Sequence, residues 1–244
     1  MNDQTIERTE KKYLISASDK QRLLKSLKQY LKKDKYFSST VCNLYFDTKN
    51  DDLIIASNDR PFFKQKFRLR SYNVPKKSDL VFLETKTKLK FKSEKMGNKR
   101  RLALSLKDFY DFKNHKTSLE KLFEDSDFRN LEIAKELDYA FNFYALVPKI
   151  IIIYDRESYA AVENPDFRLT FDSNLRFRTD KLNLEQGDSG KPYFSAEEPK
   201  PVIMEVKTLD AMPLWFVKKL SDLKLYPVPF SKYGKIYNQL KKGK

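Results

Sequence analysis

The stretch KFRLRSY, residues 66–72, decides the fold class because its residues alternate strictly in character. In an extended strand, Arg68 and Arg70 point to one face, whereas Phe67 and Leu69 point to the other. At about 3.3 Å per residue, the two arginines lie roughly 6.6 Å apart on the same face. Like charges this close cost free energy unless something negative lies between them. The strand face therefore requires an anion.

The same alternation recurs along the chain. Charged residues share one strand face in ERTEKKY (7–13), FLETKTK (82–88), YDRESY (154–159), RLTFD (168–172) and IMEVK (203–207). The charged residues of these faces are Arg8, Glu10, Lys12, Glu84, Lys86, Lys88, Arg156, Arg168, Asp172, Glu205 and Lys207. Each stretch alone fits a half-buried sheet with a solvated face. Taken together, with Phe67, Leu69 and Phe82 expected in the core, they predict charged faces that converge around a polyphosphate-like anion.

The pattern of alternation, helical spacing and turn residues predicts the fold class. Strands are predicted over 5–15, 39–48, 62–72, 79–90, 99–105, 147–158, 167–172, 174–178 and 200–208, and helices over 16–33, 106–143, 213–223 and 231–241. We expect an α+β fold, with an eight-stranded antiparallel β-barrel and peripheral helices, because closure removes exposed sheet edges. No linker or composition break divides the chain, so a single domain over residues 1–244 is predicted.

Composition limits the function classes. The 244 residues carry a net charge of +15, which favours polyanionic partners. Five glycines and no GxxxxGK or GxGxxG motif mean that side chains must hold any phosphate. The single histidine, His115, excludes a histidine-based metal cluster and a Ser-His-Asp triad. One cysteine, no signal-peptide pattern and no apolar run of about 20 residues predict a cytoplasmic protein.

Three glutamates on the charged faces are candidate metal ligands. Glu10, Glu84 and Glu205 each lie two residues before a lysine. Carboxylate oxygens are the ligands that Mg²⁺ or Mn²⁺ needs when it neutralises a triphosphate. The alternative is a salt bridge to a neighbouring strand, and both roles are compatible.

Eight motifs in order resemble one known family. They are RTEKKY (8–13), LYFDT (44–48), FRLRSY (67–72), FLETKTK (82–88), PKIIIIYDRESY (148–159), RLTFD (168–172), IMEVK (203–207) and FSKYGKIY (230–237). Their order and spacing are similar to those of the VTC catalytic domain, of the triphosphate tunnel metalloenzymes, over about residues 6–238. The resemblance implies an eight-stranded tunnel barrel. It also implies an ATP-dependent polyphosphate polymerase, which transfers the γ-phosphate of ATP to a growing chain with Mn²⁺ or Mg²⁺.

The resemblance also implies roles for individual residues. Catalytic contacts to the triphosphate are expected from Arg68, Arg70, Lys86, Arg156 and Arg168. Further phosphate-binding residues are expected at Arg8, Lys12, Lys88, Lys99, Lys207, Ser231 and Lys232. Glu205 is the expected metal ligand, with Glu10 and Glu84 as candidates beside it. Tyr233 would pack the last helix against the tunnel mouth.

One departure bears on the subfamily. Tunnel enzymes of the CYTH group, which hydrolyse triphosphates or cyclise ATP, carry ExExK on their first strand. Here the five residues are RTEKK (8–12), so Arg8 replaces the first glutamate. One fewer carboxylate and one more cation favour holding a long polyanion over hydrolysis with two metals. The sequence shows no membrane segment and no SPX-like domain, so the stand-alone bacterial type is expected.

Two other functions stay open at this point. One is a metal-dependent tripolyphosphatase or nucleoside triphosphatase, with water as the attacking group. The other is a non-catalytic module that binds RNA or polyphosphate. ATP and inorganic polyphosphate are the expected partners, and no specific nucleic acid is expected. The surplus lysines are a solvated surface or, alternatively, attract the chain to the inner face of a membrane or to a membrane protein that takes up the product.

Overall fold

The computed structural model describes residues 9–59, 62–91, 94–194, 200–209 and 211–243, so Arg8 lies outside the described residues. The strands are β1 (Thr9–Ile15), β2 (Leu31–Asp47), β3 (Phe63–Tyr72), β4 (Leu80–Phe91), β5 (Glu94–Ser105), β6 (Val147–Ala161), β7 (Arg168–Arg178), β8 (Lys191–Pro192) and β9 (Val202–Thr208). The helices are α1 (Ala17–Ser26), α2 (Asp52–Asn58), α3 (Leu106–Lys113), α4 (Leu119–Leu122), α5 (Phe128–Phe143), α6 (Leu214–Asp222) and α7 (Lys232–Lys242). The predicted α+β class is confirmed.

One sheet contains all nine strands of the described residues. Its order is β1-β9-β7-β6-β2-β3-β4-β5, with β8 paired to β7. The pairs β1–β9, β9–β7, β2–β3, β3–β4 and β4–β5 are antiparallel. Within the described ranges, β1 and β5 are the two end strands of this order, and the order contains no hydrogen-bonded pairing between them.

The chain divides into two compact units. The first comprises Met1–Thr40, Tyr154–Arg176 and Lys191–Lys232, and the second comprises Val41–Ile153, Phe177–Gly190 and Tyr233–Lys244. Each unit contains its own cluster of buried apolar side chains. The single domain over residues 1–244 stays a prediction.

The core of the second unit lies between its strands and the helices α3, α4 and α5. Phe67 and Leu69 are fully buried in it, as predicted from their alternation with the arginines. Phe141 of α5 contacts Phe46 and Phe67 with ring centroids 5.2 and 6.1 Å apart. The prediction for Phe82 was wrong, because this half-buried ring lies on the same strand face as Glu84.

The core of the first unit packs α1 and α6 mainly against β1, β7 and β9, and Ala161 at the end of β6 also belongs to it. Its buried members include Tyr13, Ile15, Leu23, Leu169, Phe171, Met204, Val206 and Phe216. The apolar residues of β1, β7 and β9 occupy every second position, so the charged residues between them point to the opposite face.

The first predicted helix is shorter than expected. Helix α1 begins after the N-cap Ser16, whose side chain forms a capping box with Asp19, and it ends at Ser26 rather than at residue 33. Tyr30 stacks on Trp215 with ring centroids 4.6 Å apart, and Leu31 already begins β2. Tyr30 and Leu31 have helical spacing with the residues of α1, but they lie in a turn and in a strand. Tertiary contacts override the local periodicity here.

The predicted helical region 106–143 is divided into three helices. Ser105, Ser118 and Asp127 each accept a backbone hydrogen bond at the start of α3, α4 and α5. Such side chains favour a new helix start over continuation. Conversely, the two strands predicted over 167–178 form the single strand β7, within which Asn174 has a φ of 49°.

Candidate functional site

The second unit carries rows of cations across three neighbouring strands. Pairing of β3, β4 and β5 places Arg68, Glu84 and Arg101 in one row and Lys66, Lys86 and Lys99 in the next. Lys64 and Lys88 oppose each other one row further along. Because like charges directly opposite each other are destabilising in a sheet, this face gathers cations at a cost in free energy.

Three cations converge on the buried carboxylate of Glu84, and we call these four residues the Glu84 cluster. Arg68 Nε lies 2.7 Å from Oε2, and Arg101 Nε lies 2.7 Å from Oε1. Lys99 Nζ is also 2.7 Å from Oε1. Both oxygens of Glu84 are thus engaged, and its side chain is 1% exposed. Glu84 is the negative partner that the arginine strand requires.

The charges of the Glu84 cluster shift the pKa values of its members. Burial alone would raise the pKa of Glu84, but the positive charges of Arg68, Arg70 and Lys99 lower it well below its usual range. For Lys99, burial lowers the pKa from 10.5 to about 8, although Glu84 opposes this shift. Glu84 is therefore ionised at neutral pH, whereas the ammonium of Lys99 loses its proton at a pH only slightly above neutral.

Arg70 lies next to the Glu84 cluster and is held by a neutral side chain. It is 6% exposed, and its Nε donates to Asn43 Oδ1 at 2.8 Å. Asn43 in turn donates to the carbonyl oxygen of Ile152 at 3.0 Å. This chain of hydrogen bonds fixes the guanidinium, whose positive charge also lowers the pKa of Glu84.

Arg101 is a member of the Glu84 cluster that the sequence analysis missed. Its guanidinium carbon lies 4.3 Å from the centroid of the Phe82 ring, a cation–π contact. Alternation in KRRLALS places Lys99 and Arg101 on one strand face, so the signal was present. Arg101 is important because it lies opposite Glu84 on the neighbouring strand. The sequence of one strand does not show which residue lies opposite it.

The first unit carries a different arrangement, centred on Glu205. Lys12 of β1 is the strand partner of Glu205 on β9. The Lys12 ammonium lies 3.0 Å from Glu10 Oε1 and 3.7 Å from Glu205 Oε2. On the other side, Lys207 Nζ lies 2.8 Å from Glu205 Oε1. Two carboxylates therefore converge on one cation position.

Asp172 gathers two further cations in the first unit. Arg156 donates to its two oxygens at 2.6 and 2.8 Å, and Lys232 Nζ donates to Oδ2 at 2.6 Å. Lys232 also lies 4.4 Å from the centroid of the Tyr154 ring. The alternation of RLTFD predicts Asp172 on a charged face but gives no role for it. We call the combined set of Glu10, Lys12, Arg156, Asp172, Glu205, Lys207 and Lys232 the Glu205 cluster.

Burial and charge oppose each other at these carboxylates too. Burial would raise the pKa values of Glu205 and Asp172, but the neighbouring cations lower both below their usual range. Lys207 and Lys12 act most strongly on Glu205, and Lys232 and Arg156 act most strongly on Asp172. Both carboxylates are ionised at neutral pH.

Three further residues with predicted roles lie outside the Glu84 cluster and the Glu205 cluster. Arg168 is exposed on β7 opposite Lys207, and Ser231 is exposed just before α7. Tyr233 of α7 stacks on Tyr45, with ring centroids 4.7 Å apart, and its hydroxyl donates to Asp47 Oδ2 at 3.2 Å.

The candidate metal ligands differ in their fitness to hold a divalent ion. Mg²⁺ takes one or two carboxylates and completes its shell with substrate oxygens and water. Glu10 and Glu205 fit this requirement, since both reach the position now held by the Lys12 ammonium. Glu84 fits it poorly, because three cations already engage its oxygens. No group of three or more histidine, cysteine, aspartate or glutamate side chains with metal-binding geometry occurs in the described ranges.

Comparison with known proteins decides the family. The model of the VTC domain matches residues 7–241. The chain belongs to the VTC domain family. The family predicted from the eight motifs is thereby confirmed. No curated protein is similar enough in sequence to be matched to this chain.

Similar solved structures support the fold of this VTC domain, and HpAC1 from Hippeastrum is an example. It is a proposed adenylyl cyclase described as having a dominant triphosphatase activity. It aligns with a TM-score of 0.56 at 18% identity over 96% of each chain. A proposed adenylate cyclase from Vibrio parahaemolyticus aligns with a TM-score of 0.46 at 8% identity, over 94% of this chain and 97% of its own.

Among the described residues, no helix combines the length and apolar character that crossing a membrane requires.

Proposed function

We propose that this VTC domain is an ATP-dependent polyphosphate polymerase, a metal-dependent phosphotransferase. The observation that carries the proposal is the family match over residues 7–241, since the family resemblance implies this activity. The charged clusters of both units support it. A polymer of phosphates needs many cationic contacts and no side-chain nucleophile, and both clusters consist of lysines and arginines around ionised carboxylates.

Each unit contributes phosphate contacts in this proposal. In the second unit, Arg68, Arg70, Lys86, Lys88 and Lys99 bind phosphoryl oxygens. In the first unit, the phosphate contacts come from Lys12, Arg156, Arg168, Lys207, Ser231 and Lys232. Guanidinium groups suit this task because their fork of donors matches two oxygens of one phosphate. Arg101 joins the phosphate-binding set on the strength of its place in the Glu84 cluster.

The reaction is an in-line phosphoryl transfer. An oxygen of the terminal phosphate of the growing chain attacks the γ-phosphorus of ATP, the bond to the β–γ bridging oxygen breaks, and ADP leaves. Such a transfer depends on positioning and charge neutralisation, which fixed cations supply. Glu205 with Glu10 would hold Mn²⁺ or Mg²⁺, whose charge offsets that of the triphosphate. Glu84 instead acts as a fixed counter-charge that aligns Arg68, Lys99 and Arg101.

Hydrolysis is the second candidate. Two carboxylates that converge on one cation position, as Glu10 and Glu205 do at Lys12, suit a metal ion that activates water as well as one that binds a triphosphate. The triphosphatase activity described for HpAC1 belongs to that protein and is a reason to test for it here. Attraction to a membrane or to a membrane-protein partner stays a prediction of the lysine surplus alone.

Incubation with ATP and Mn²⁺ separates these functions. Long acid-labile phosphate chains are the expected product. Orthophosphate alone would indicate the hydrolase, and binding of polyphosphate without turnover would indicate a binding module. The same incubation with Arg68→Ala and Glu205→Gln should give strongly reduced product, and equal product from all three proteins would contradict the assignment of these residues.

A further inference from the structure

Thr170 places a hydroxyl on the charged face of the first unit. It lies on β7 between Arg168 and Asp172, while its neighbours Leu169 and Phe171 point into the apolar core. Its partner across the ladder is Glu205 of β9. Opposite residues of an antiparallel pair have Cβ atoms about 4.5–5.5 Å apart. Thr170 is therefore a direct cross-strand neighbour of Glu205, the residue at the centre of the Glu205 cluster.

The hydroxyl of Thr170 has no hydrogen-bond partner among the described residues. Its Oγ1 is buried, although a hydroxyl can donate one hydrogen bond and accept two. A buried hydroxyl without a partner destabilises the folded chain, because its bonds to water are lost and not replaced. Valine has the same shape without this penalty, so a purely structural role would not need a hydroxyl here.

A missing partner alone does not identify a ligand contact. Thr208 on the adjacent strand β9 also has a buried Oγ1 without a partner. Thr208, however, has the same strand parity as Met204 and Val206, which belong to the apolar core. Thr170 differs because its side of the sheet carries Asp172 and, across the ladder, Glu205. Of these two threonines, Thr170 is the one on the face that carries the Glu205 cluster.

We propose that the Thr170 hydroxyl donates a hydrogen bond to a phosphoryl oxygen of the bound triphosphate or polyphosphate. This inference rests on the proposed function. The nearby ammonium groups of Lys12 and Lys207 now contact Glu205 at 3.7 and 2.8 Å. A phosphate held by these two ammonium groups would lie beside Glu205, where one of its oxygens can accept a hydrogen bond from the hydroxyl of Thr170, the cross-strand partner of Glu205. A hydroxyl bonded to a charged oxygen makes a short, strong hydrogen bond.

Calorimetric titration with tripolyphosphate tests this role in four proteins: wild type, Thr170→Val, Thr170→Ser and Thr208→Val. Loss of a hydrogen bond to a charged group corresponds to a loss of about 10-fold to 100-fold in affinity for Thr170→Val. Thr170→Ser keeps the hydroxyl and should bind within a few-fold of wild type. Thr208→Val removes the matched core hydroxyl and should bind as wild type does. Without ligand, both valine variants should unfold at or above the wild-type temperature.

The outcomes separate this inference from the proposed function. Equal binding by Thr170→Val and wild type would overturn the role of the hydroxyl, while leaving phosphate binding intact. A Thr170→Val protein that fails to fold would show a structural role and would overturn it as well. A wild-type protein that binds no tripolyphosphate would instead contradict the proposed function itself.

Discussion

The Glu84 cluster and the Glu205 cluster use the same residue types in different proportions. In the Glu84 cluster, three cations contact one carboxylate. In the Glu205 cluster, four cations contact three carboxylates. Both arrangements keep an excess of positive charge, three cations minus one carboxylate in the first and four cations minus three carboxylates in the second, so the second is richer in carboxylates for each cation. An excess of fixed cations suits an anion, and converging carboxylates suit a metal ion.

The same sequence pattern leads to two different environments for a glutamate. Glu84 and Glu205 each precede a lysine by two residues, and both were candidate metal ligands on that ground. Their cross-strand neighbours differ: Glu84 lies between Arg68 and Arg101, whereas Glu205 lies between Lys12 and Thr170. The neighbours on adjacent strands therefore decide which carboxylate is saturated by cations and which remains able to hold a metal.

The largest effect on stability is expected from Glu84→Gln. Removing one partner of a buried ion pair costs about 3–5 kcal/mol. Arg68, Arg101 and Lys99 are 22%, 36% and 40% exposed, and solvent screens them, so we expect a value near the lower end, about 3 kcal/mol. Tripolyphosphate should raise the unfolding temperature of this variant more than that of wild type, because the ligand replaces the missing negative charge.

Glu136→Gln is the matched control. Glu136 pairs with Arg100 at 3.0 Å, with side chains 35% and 40% exposed. Such an exposed pair contributes less than about 1 kcal/mol, and tripolyphosphate should not compensate for its loss. An equal free energy of unfolding for Glu84→Gln and Glu136→Gln would contradict the stabilising role of Glu84. The same holds if tripolyphosphate does not raise the unfolding temperature of Glu84→Gln more than that of wild type.

The next effect concerns the rate. Arg68→Ala should lower kcat/KM for ATP by about 10²–10³, the loss typical of removing one fixed donor to the transition state. Arg129→Ala on α5 removes an equally charged but exposed side chain, and its kcat/KM should stay within about twofold. Equal losses in both variants would show that only the overall charge of the chain matters.

A smaller effect is expected from pH. The pKa of Lys99 is lowered to about 8 by burial, so its ammonium loses its proton as the pH rises from 7 to 9. The kcat/KM should therefore fall a few-fold over this range. In Lys99→Arg, whose guanidinium stays protonated, this decrease should be absent.

Stability should respond to Lys99 in the opposite direction. Its folded-state pKa lies below its ordinary value, so the unfolded chain binds more protons between pH 8 and 10, and this group adds stability as the pH rises. A fall in kcat/KM without a fall in the free energy of unfolding would thus separate loss of a phosphate contact from unfolding. A pH profile identical in wild type and Lys99→Arg would contradict the role of Lys99.

Alternation within single strands predicted the fold class and which residues share the charged faces, while the roles of the candidate site residues stay predictions. KFRLRSY correctly separated the core residues Phe67 and Leu69 from the arginines, because a strand exposes its two faces in turn. The same reasoning could not choose Arg101 or Asp172, since their importance comes from Glu84 and Arg156 on neighbouring strands. The register between strands depends on contacts between residues that are distant in sequence, so it cannot be predicted from a single stretch.

Helix ends show the same limitation. The apolar spacing over 16–33 fits a long helix, yet α1 ends at Ser26 because Tyr30 packs on Trp215, which lies far away in the sequence. By contrast, the starts of α3, α4 and α5 coincide with Ser105, Ser118 and Asp127, whose caps are local signals.

Mn²⁺ binding to wild type, Glu205→Gln and Glu84→Gln distinguishes the two glutamates as metal ligands. Electron paramagnetic resonance, which detects free Mn²⁺, measures the affinity of each protein without added tripolyphosphate. We predict at least a tenfold loss for Glu205→Gln, because a ligand of the ion is removed, and a nearly unchanged affinity for Glu84→Gln. Loss of Mn²⁺ binding in Glu84→Gln with retention in Glu205→Gln would contradict the account.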